Sequence, residues 1–461
     1  MKGINSWSFA PYTPLMFESG DIYINRVAPS EDSIHFEWLK IDGCSEYSVY
    51  YRERNTKEYI LAGKTQNNEY DILELETKRD YEFYVQSGEL KSRVRLARCG
   101  ESVGTVVNYL HPDDSCYAFS GRSLCSPSIV RHPEGFLLAS MDVFKGAHPQ
   151  NLTLIFRSDD DGETWHYVSE LCPCFWGKMF IHKGVLYMLS VSTEYGDLLI
   201  GASYDGGKNF GVPTVLLRGS APSIGFPGVH KNPQNIVKYN GRIYETLEWG
   251  DWETGFAPMV MSCDENDDLL NPESWHITPP VKYDQNWKGV ATGYSRGNIE
   301  GTLVVFPDGN LYNVMRYDMA FTVPNYGMVL AYKVNLDNPD APLEYSHSIQ
   351  FQANNSKFMI KKDEVTNRYY TVATRISSEK TTKHRTIMSL MYSEDMKIWN
   401  VVKDILDYTH MDPMYVGFQY ADFEIEGEDI IFLSRTSINN AANYHDANYS
   451  TFHRIEKFRD L

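Results

Sequence analysis

Apolar and polar positions alternate with a period of two along most of the chain. Between residues 21 and 98 short apolar runs are separated by polar turns. Ile34, Phe36 and Trp38 share one face, Tyr47, Val49 and Tyr51 repeat the pattern, and Tyr81, Phe83 and Val85 repeat it again. Several short strands at this spacing predict a small β-sandwich over residues 1–100. Beyond residue 100 a turn recurs. Residues 156–165 read FRSDDDGETW, 201–210 read GASYDGGKNF, and 391–399 read MYSEDMKIW; a looser copy with an insertion runs from Met261 to Trp275. Asp161 and Asp205 are expected to accept turn amides, Gly162 and Gly207 to take positive φ, and the aromatic to plug the space beneath. A repeat of this kind predicts stacked four-stranded blades. Six strand–turn–strand units begin near Ser126, Gly177, His230, Glu300, Lys357 and Tyr420, and segment 103–118 is expected to supply a strand that closes the ring. The predicted fold is all-β, a six-bladed β-propeller over residues 101–461 preceded by the sandwich.

Composition narrows the partners. The chain has 461 residues, with 61 acidic against 43 basic side chains and a net charge of −18, a surface that repels phosphate backbones and excludes nucleic acid. No apolar run approaches the ~18 residues that span a bilayer, so no membrane partner is expected. Residues 1–20 lack the apolar core and small-residue cleavage site of an export signal. The seven cysteines, at 44, 99, 116, 125, 172, 174 and 263, are odd in number and scattered, as reduced thiols are, and the expected location is cytoplasmic. Aromatics make up 14% of the residues, a richness that suits sheets and sugar-binding surfaces. Cys172 and Cys174 are too close to hold a metal without partners, SDDDGETW lacks the ligand spacing of a calcium loop, and there is no glycine-rich phosphate loop. No metal or cofactor is expected.

In a propeller the inner strand begins, and the second strand ends, on one rim near the axis. Inner-strand starts give Cys125, Trp176, His230, Glu300, Lys357 and Tyr420; second-strand ends give Asp142, Glu194, Glu248, Arg316, Arg375 and Arg435. So many charges on one rim are costly unless they bind something or pair with one another across blades.

The Ser-x-Asp turns resemble the Asp-boxes of the sialidase superfamily. In that family a Glu opens blade four and an Arg ends the next strand, as Glu300 and Arg316 do; a Tyr opens the last blade, as Tyr420 does in Tyr420-Ala421-Asp422-Phe423. The resemblance implies that Tyr420 is the nucleophile and Glu300 takes its proton. A phenol of pKa ~10 needs such a carboxylate. The family's Arg-Ile-Pro motif is Cys125-Ser126-Pro127 here, so one arginine of the carboxylate-binding triad is missing; Arg435 or Arg122 could restore the charge. The loop after Phe144 holds His148 but no acid, which leaves Asp142 or His148 for the acid/base role. The chain is similar in particular to divergent bacterial sialidase-like proteins that share the Gly417–Asp422 GFQY–D turn and the HDAN-x-x-TFHR motif from His445 to Arg454. His445 and Asp446 either reach the pocket or Asp446 caps the last turn. His230, opening an inner strand beside carboxylates, is a further acid/base candidate. Trp38, the YSVYYRE strand, and Leu75 followed by Tyr81 resemble a fibronectin type III domain, with Thr77 where that family usually has Pro. Such a domain implies a spacer or docking role and a possible route to a homo-oligomer.

Three functions compete. The first is an exo-acting glycoside hydrolase for a terminal acidic sugar: Arg316 and Arg435 clamp the carboxylate, with Glu248, Arg375, Arg122, His148, Trp176, His445 and Asp446 as further binding candidates. Glu300 and Tyr420 supply the nucleophile and Asp142 protonates the leaving oxygen. The second is a lyase acting on uronate-linked sugars with His230, Tyr420 and Arg316. The third is a glycan-binding propeller without turnover. The expected partner in each is carbohydrate.

Overall fold

The structure is a computed structural model that describes residues 21–146, 148–220 and 227–461. Residues 1–20, on which the expectation about an export signal fell, lie outside the described residues. The chain is all-β, and among the described residues no helix is long and apolar enough to cross a membrane.

Two sheets form the N-terminal part. Strands Ile24–Pro29, Ile34–Trp38 and Glu69–Ile72 make one; Tyr47–Glu53, Ile60–Thr65, Asp80–Ser87, Leu90–Lys91 and Arg95–Arg98 make the other. The alternating residues meet as expected, with ring centroids of Phe36 and Phe83 4.6 Å apart and those of Trp38 and Tyr47 5.2 Å apart. Tyr51 is half-buried and packs against the margin of the same core. Tyr81 Oη accepts the Glu76 N–H at 2.9 Å and fixes the turn that follows Leu75.

This part is bolted to the rest. Arg26 binds Glu37 at 2.9 Å and donates to the carbonyls of Val107 and Val106, Arg95 pairs with buried Asp114 at 2.7 Å, and Tyr23 Oη donates to Glu170 at 2.8 Å. Its core runs without a break into that of the last sheet.

Beyond residue 100 the described strands form four four-stranded sheets, one nine-stranded sheet that divides into two antiparallel meanders, the third and fourth in chain order, and a two-stranded ribbon. The first is Ser123–Arg131, Leu137–Phe144, Leu152–Ser158 and His166–Leu171; the second runs from Phe175–His182 to Thr214–Leu217. The third and fourth join through one pair, Phe256 with Asn298. The sixth, Gly417–Glu426, Asp429–Ser437 and Tyr449–Ile455, takes its outer strand from Thr105–Tyr109, inside the segment expected to close the ring. Hydrogen bonds link each inner region to the next. Met179 N–H donates to Ser128, Lys231 to the Trp176 carbonyl, Gly301 N–H to Glu248, Ile360 N–H to Thr302 and Thr374 to the Phe418 carbonyl; Ile129 N–H donates to Asp422 and returns from the sixth sheet to the first. The N-terminal sheets rest on outer strands of the sixth and first sheets, through Thr105–Tyr109 and His166–Leu171.

Two inner strands differ from the simple expectation. The third is broken into Gly228–His230 and Val237–Tyr239, because Pro233 has no N–H to give a ladder. The fifth retains only Lys361–Lys362 of the strand read from Lys357.

The recurring turns close as expected, with one correction of position. In the first, Asp160 rather than Asp161 accepts the Thr164 N–H (2.9 Å) and hydroxyl and the Ser158 hydroxyl (2.8 Å). Asp161 instead takes positive φ (59°) and turns to Arg131. Asp205 accepts from Asn209 and Ser203. Gly162 and Gly207 have φ of 97° and 87°. Trp165 is fully buried and donates its indole N–H to the Gly162 carbonyl.

Candidate active site

Four inner strands carry a bulge at their first turn, and each bulge holds a non-glycine residue at positive φ: Ser126 (50°), Trp176 (52°), Glu300 (55°) and Tyr420 (59°). Such backbone costs about 1–3 kcal/mol per residue and persists only where the surroundings enforce it. Here they do. Trp176 N–H donates to Asp142 at 2.7 Å, Gly301 N–H, next to Glu300, donates to Glu248 at 3.1 Å, and the Gln419 side chain, next to Tyr420, donates to the Tyr444 carbonyl at 2.6 Å. The bulge residue of the first sheet is Ser126; the sequence reading placed Cys125 there.

The bulges bring Glu300 and Tyr420, 120 positions apart, into contact. Tyr420 Oη donates to Glu300 Oε1 at 2.7 Å, and Arg316 Nη1 donates to Oε2 at 2.6 Å. Arg316 is fixed from behind by the carbonyls of Asn354 and Asn355. Two further guanidiniums flank the phenol: Arg385 lies 5.8 Å and Arg435 5.1 Å from the Tyr420 ring centroid. Arg385 is held by the side chain of Gln419 and the carbonyl of Asn355. Arg435 is held by the His445 carbonyl at 3.0 Å. Three arginines therefore surround one phenol in a protein whose net charge is strongly negative.

The electrostatics follow from burial and these neighbours. Burial pushes the Glu300 carboxyl up, but the Arg316 charge, His230 and the bonds from Tyr420 and Arg316 outweigh it and hold Glu300 below the usual glutamate range. Burial and the Glu300 charge push the Tyr420 phenol up, opposed by the three arginines, so the proton between them rests on the tyrosine at neutral pH. Burial lowers Arg385 to about 10, which leaves it charged.

His230 Nδ1 lies 2.6 Å from Glu248 Oε2. This bond takes up Nδ1 and leaves Nε2 as the ring nitrogen that can exchange a proton with a ligand. Trp176 packs edge-on against His230 at 4.3 Å, and Phe256 lies 4.5 Å away on its other flank. Glu248 thus orients His230 and fixes the Glu300 bulge at once.

The other candidates separate. Asp142 has both oxygens engaged, by the Thr153 hydroxyl at 2.5 Å and the Trp176 N–H, and burial pushes it up to about 7. His445 lies beside Arg435, with its ring 5.4 Å from Phe144 and its Nδ1 2.8 Å from Asp446; burial and Arg435 lower it to about 4. Asn443 caps that turn by accepting the N–H groups of His445 and Asp446, so Asp446 serves His445 instead of the turn. Glu194 accepts from Gln150 on the rim. Arg375 does not join the cluster; it faces outward to Asp404 at 2.6 Å on the outer strand of its own sheet. Arg122 stays next to Phe144, its N–H on the Phe144 carbonyl, and His148 contacts the Gly146 carbonyl; neither meets the cluster.

Arg385 is the site residue missed in the sequence. It precedes the third strand of its sheet, Ile387–Ser393, a position the first- and second-strand rule did not inspect. Below the site lies a buried charged layer, of which the strand-start rule picks out Lys357 alone as a rim candidate: Lys178 pairs with Asp422 at 2.7 Å, Lys231 lies 3.8 Å from Glu245, and Lys357, lowered by burial to about 8, donates to the Ala421 carbonyl. Among the described residues one group could offer metal ligands, His35, Glu37 and Glu69; it lies in the N-terminal sheet, where Arg26 already occupies Glu37.

No family model matches the chain, and no curated protein is similar to it in sequence. Among solved structures it is similar to an α-L-arabinanase of Penicillium chrysogenum complexed with arabinobiose, at 12% identity and a TM-score of 0.50, covering 78% of this chain and 99% of that one. An α-L-arabinofuranosidase of Fusarium graminearum with arabinobiose is 14% identical with a TM-score of 0.48, covering 76% and 98%. A leech intramolecular trans-sialidase is 10% identical with a TM-score of 0.38, covering 98% and 72%. The likeness to the arabinanase shows the fold, a propeller of the type found in glycoside hydrolases.

Proposed function

We propose that the chain is an exo-acting glycoside hydrolase that releases a terminal acidic sugar, sialic or uronic acid, on a six-bladed propeller of the sialidase type with a fibronectin type III-like N-terminal domain. The observation that carries this reading is the hydrogen bond from Tyr420 Oη to Glu300 inside a ring of three arginines. Arg316, Arg385 and Arg435 hold the sugar carboxylate, with bidentate pairing open to a planar guanidinium. Tyr420 Oη attacks the anomeric carbon as its proton passes to Glu300, and the glycosidic C–O bond breaks. The departing oxygen takes a proton from His230, which Glu248 orients; Asp142, with both oxygens engaged, positions Trp176 instead. Water then attacks the anomeric carbon, gives its proton to His230, and Tyr420 recovers its own from Glu300. A nucleophile that is neutral before reaction avoids repulsion with an anionic substrate.

The test is release of free sugar from a panel of sialylated and uronic-acid-capped oligosaccharides. Tyr420→Phe is expected to lower kcat by about 10²–10⁴-fold while the product still binds. Unchanged turnover by that variant overturns the mechanism. An ultraviolet-absorbing unsaturated product would assign the same pocket to elimination.

A further inference from the structure

The rim beside Arg316 displays an apolar face that the catalytic reading does not use. Strands Thr292–Tyr294 and Phe321–Val323 form a separate two-stranded ribbon, pairing Thr292 with Val323, Gly293 with Thr322 and Tyr294 with Phe321. Tyr294, Phe321 and Val323 therefore lie on one face, and they are 62%, 70% and 78% exposed. The opposite face is anchored: Thr322 is buried, with its hydroxyl on the carbonyls of Met319 and Pro324. Gly293 has φ of +122°, and a Cβ there would stand 2.6 Å from the Phe321 carbonyl oxygen. The ribbon is thus built tightly on one side and leaves its apolar side open. Trp252, 46% exposed, lines a cleft that shares Phe256 and Arg296 with the one reaching Tyr294. Its indole N–H reaches Glu194 at 3.4 Å and its ring has the Arg296 guanidinium 5.8 Å from its centroid, while Arg296 is itself fixed on Asp318 at 2.8 Å.

This surface is continuous with the candidate active site. A narrow cleft runs from Arg316 to Trp252, Phe256 and Arg296. A second cleft, of about 510 Å³, shares Phe256 and Arg296 and extends to Trp249, Tyr283 and Tyr294. Rings at intervals along a groove, flanked by hydroxyl, amide and charged groups, suit ligands with flat C–H faces and a polar perimeter. Of the cations lining the groove, Arg296 is already neutralised by Asp318 and Lys282 stands exposed to solvent, so the groove does not gather charge as the three-arginine pocket does.

We propose that this groove binds uncharged pyranose units of the glycan, the sugars next to the terminal acidic residue, by stacking on Trp252 and Tyr294. The direction of the chain through the groove rests on the hydrolase reading above; binding of uncharged sugar to the groove does not. The test is ligand-observed saturation-transfer NMR with the full chain and four uncharged tetrasaccharides: lacto-N-tetraose, cellotetraose, mannotetraose and β-1,4-galactotetraose. At least one is expected to bind the parent protein, and Trp252→Ala and the exposed-face double variant Tyr294→Ser/Phe321→Ser are each expected to weaken it by roughly tenfold. Binding that persists in both variants, or no binding by any of the four, overturns the proposal. Binding without release of acidic sugar from any capped glycan leaves the groove standing and removes only the hydrolase reading. Capture of a protein in place of sugar would assign the face to a protein partner and overturn the proposal.

Discussion

Replacing Asp142 by asparagine separates a positioning role from an acid role. Burial raises this carboxyl from its ordinary 3.8 to about 7. At about 1.4 kcal/mol per decade of acidity, that gap corresponds to about 4 kcal/mol for ionising Asp142 inside the folded protein. The folded chain keeps a proton that the unfolded chain releases, so this stability is fully present below pH ~4 and is lost as pH rises through about 7. Asparagine has the same shape and never ionises. Its Oδ1 can accept the Trp176 N–H, and its Nδ2 can donate to Thr153, whose own hydroxyl proton stays on the Cys174 carbonyl at 3.1 Å. Denaturant unfolding across pH 4–8 should therefore show Asp142→Asn gaining on the parent by up to about 4 kcal/mol as pH rises. Turnover should fall by no more than about threefold, against the 10²–10⁴-fold loss expected if Asp142 protonated the leaving oxygen. A pH-independent difference between the two proteins refutes the burial argument. A thousandfold loss of kcat in a folded variant returns Asp142 to the acid role.

Arg385→Lys keeps the charge but loses the planar fork, and calorimetric titration with the released acidic sugar should show affinity weakened by about 10–100-fold; unchanged affinity would place Arg385 outside the carboxylate clamp. In the first Asp-box turn, Asp160→Ala removes an acceptor of three bonds and should cost about 1 kcal/mol in denaturant unfolding. Asp161→Gly relieves a positive φ and loses only an exposed ion pair, so its effect should stay within about 0.5 kcal/mol.

The architecture was legible because sheet cores depend on alternation, which survives in sequence: Phe36, Trp38, Val49 and Phe83 are buried where period two puts them. Glu300, Arg316 and Tyr420 were legible for a related reason, since strand starts and ends select one rim. Register at the bulges was not. One extra residue shifts every later side chain to the other face, and none of the four bulges is marked by a glycine at the positive-φ position, so the first sheet was read one residue early, at Cys125. Arg375 shows the same weakness from the other side: just past the end of Tyr369–Thr374, it falls on the face that meets Asp404. Arg385 escaped because a third-strand start carries no repeat signal, and the bonds that Thr153 and the Trp176 amide make to Asp142 leave no mark in the sequence.

The chemistry and the strain coincide at the same positions, and this has a structural cause. In an unbroken ladder, adjacent residues point to opposite faces of a blade, and both faces are packed against neighbouring blades. At the first turn of an inner strand, an interruption of the ladder turns a side chain toward the shared site. The bulges at Glu300 and Tyr420 do this, and the carboxylate of Glu248 and the amide of Gln419 hold the displaced backbone in place. Ser126 and Trp176 occupy the same structural position in the first and second sheets without a group able to act as nucleophile's base or clamp. Trp176 instead presses on His230, and the Ser126 side chain reaches Asp142. On the proposed mechanism a change at Trp176 acts through the orientation of His230, and so on proton transfer, while leaving Arg316, Arg385 and Arg435 untouched.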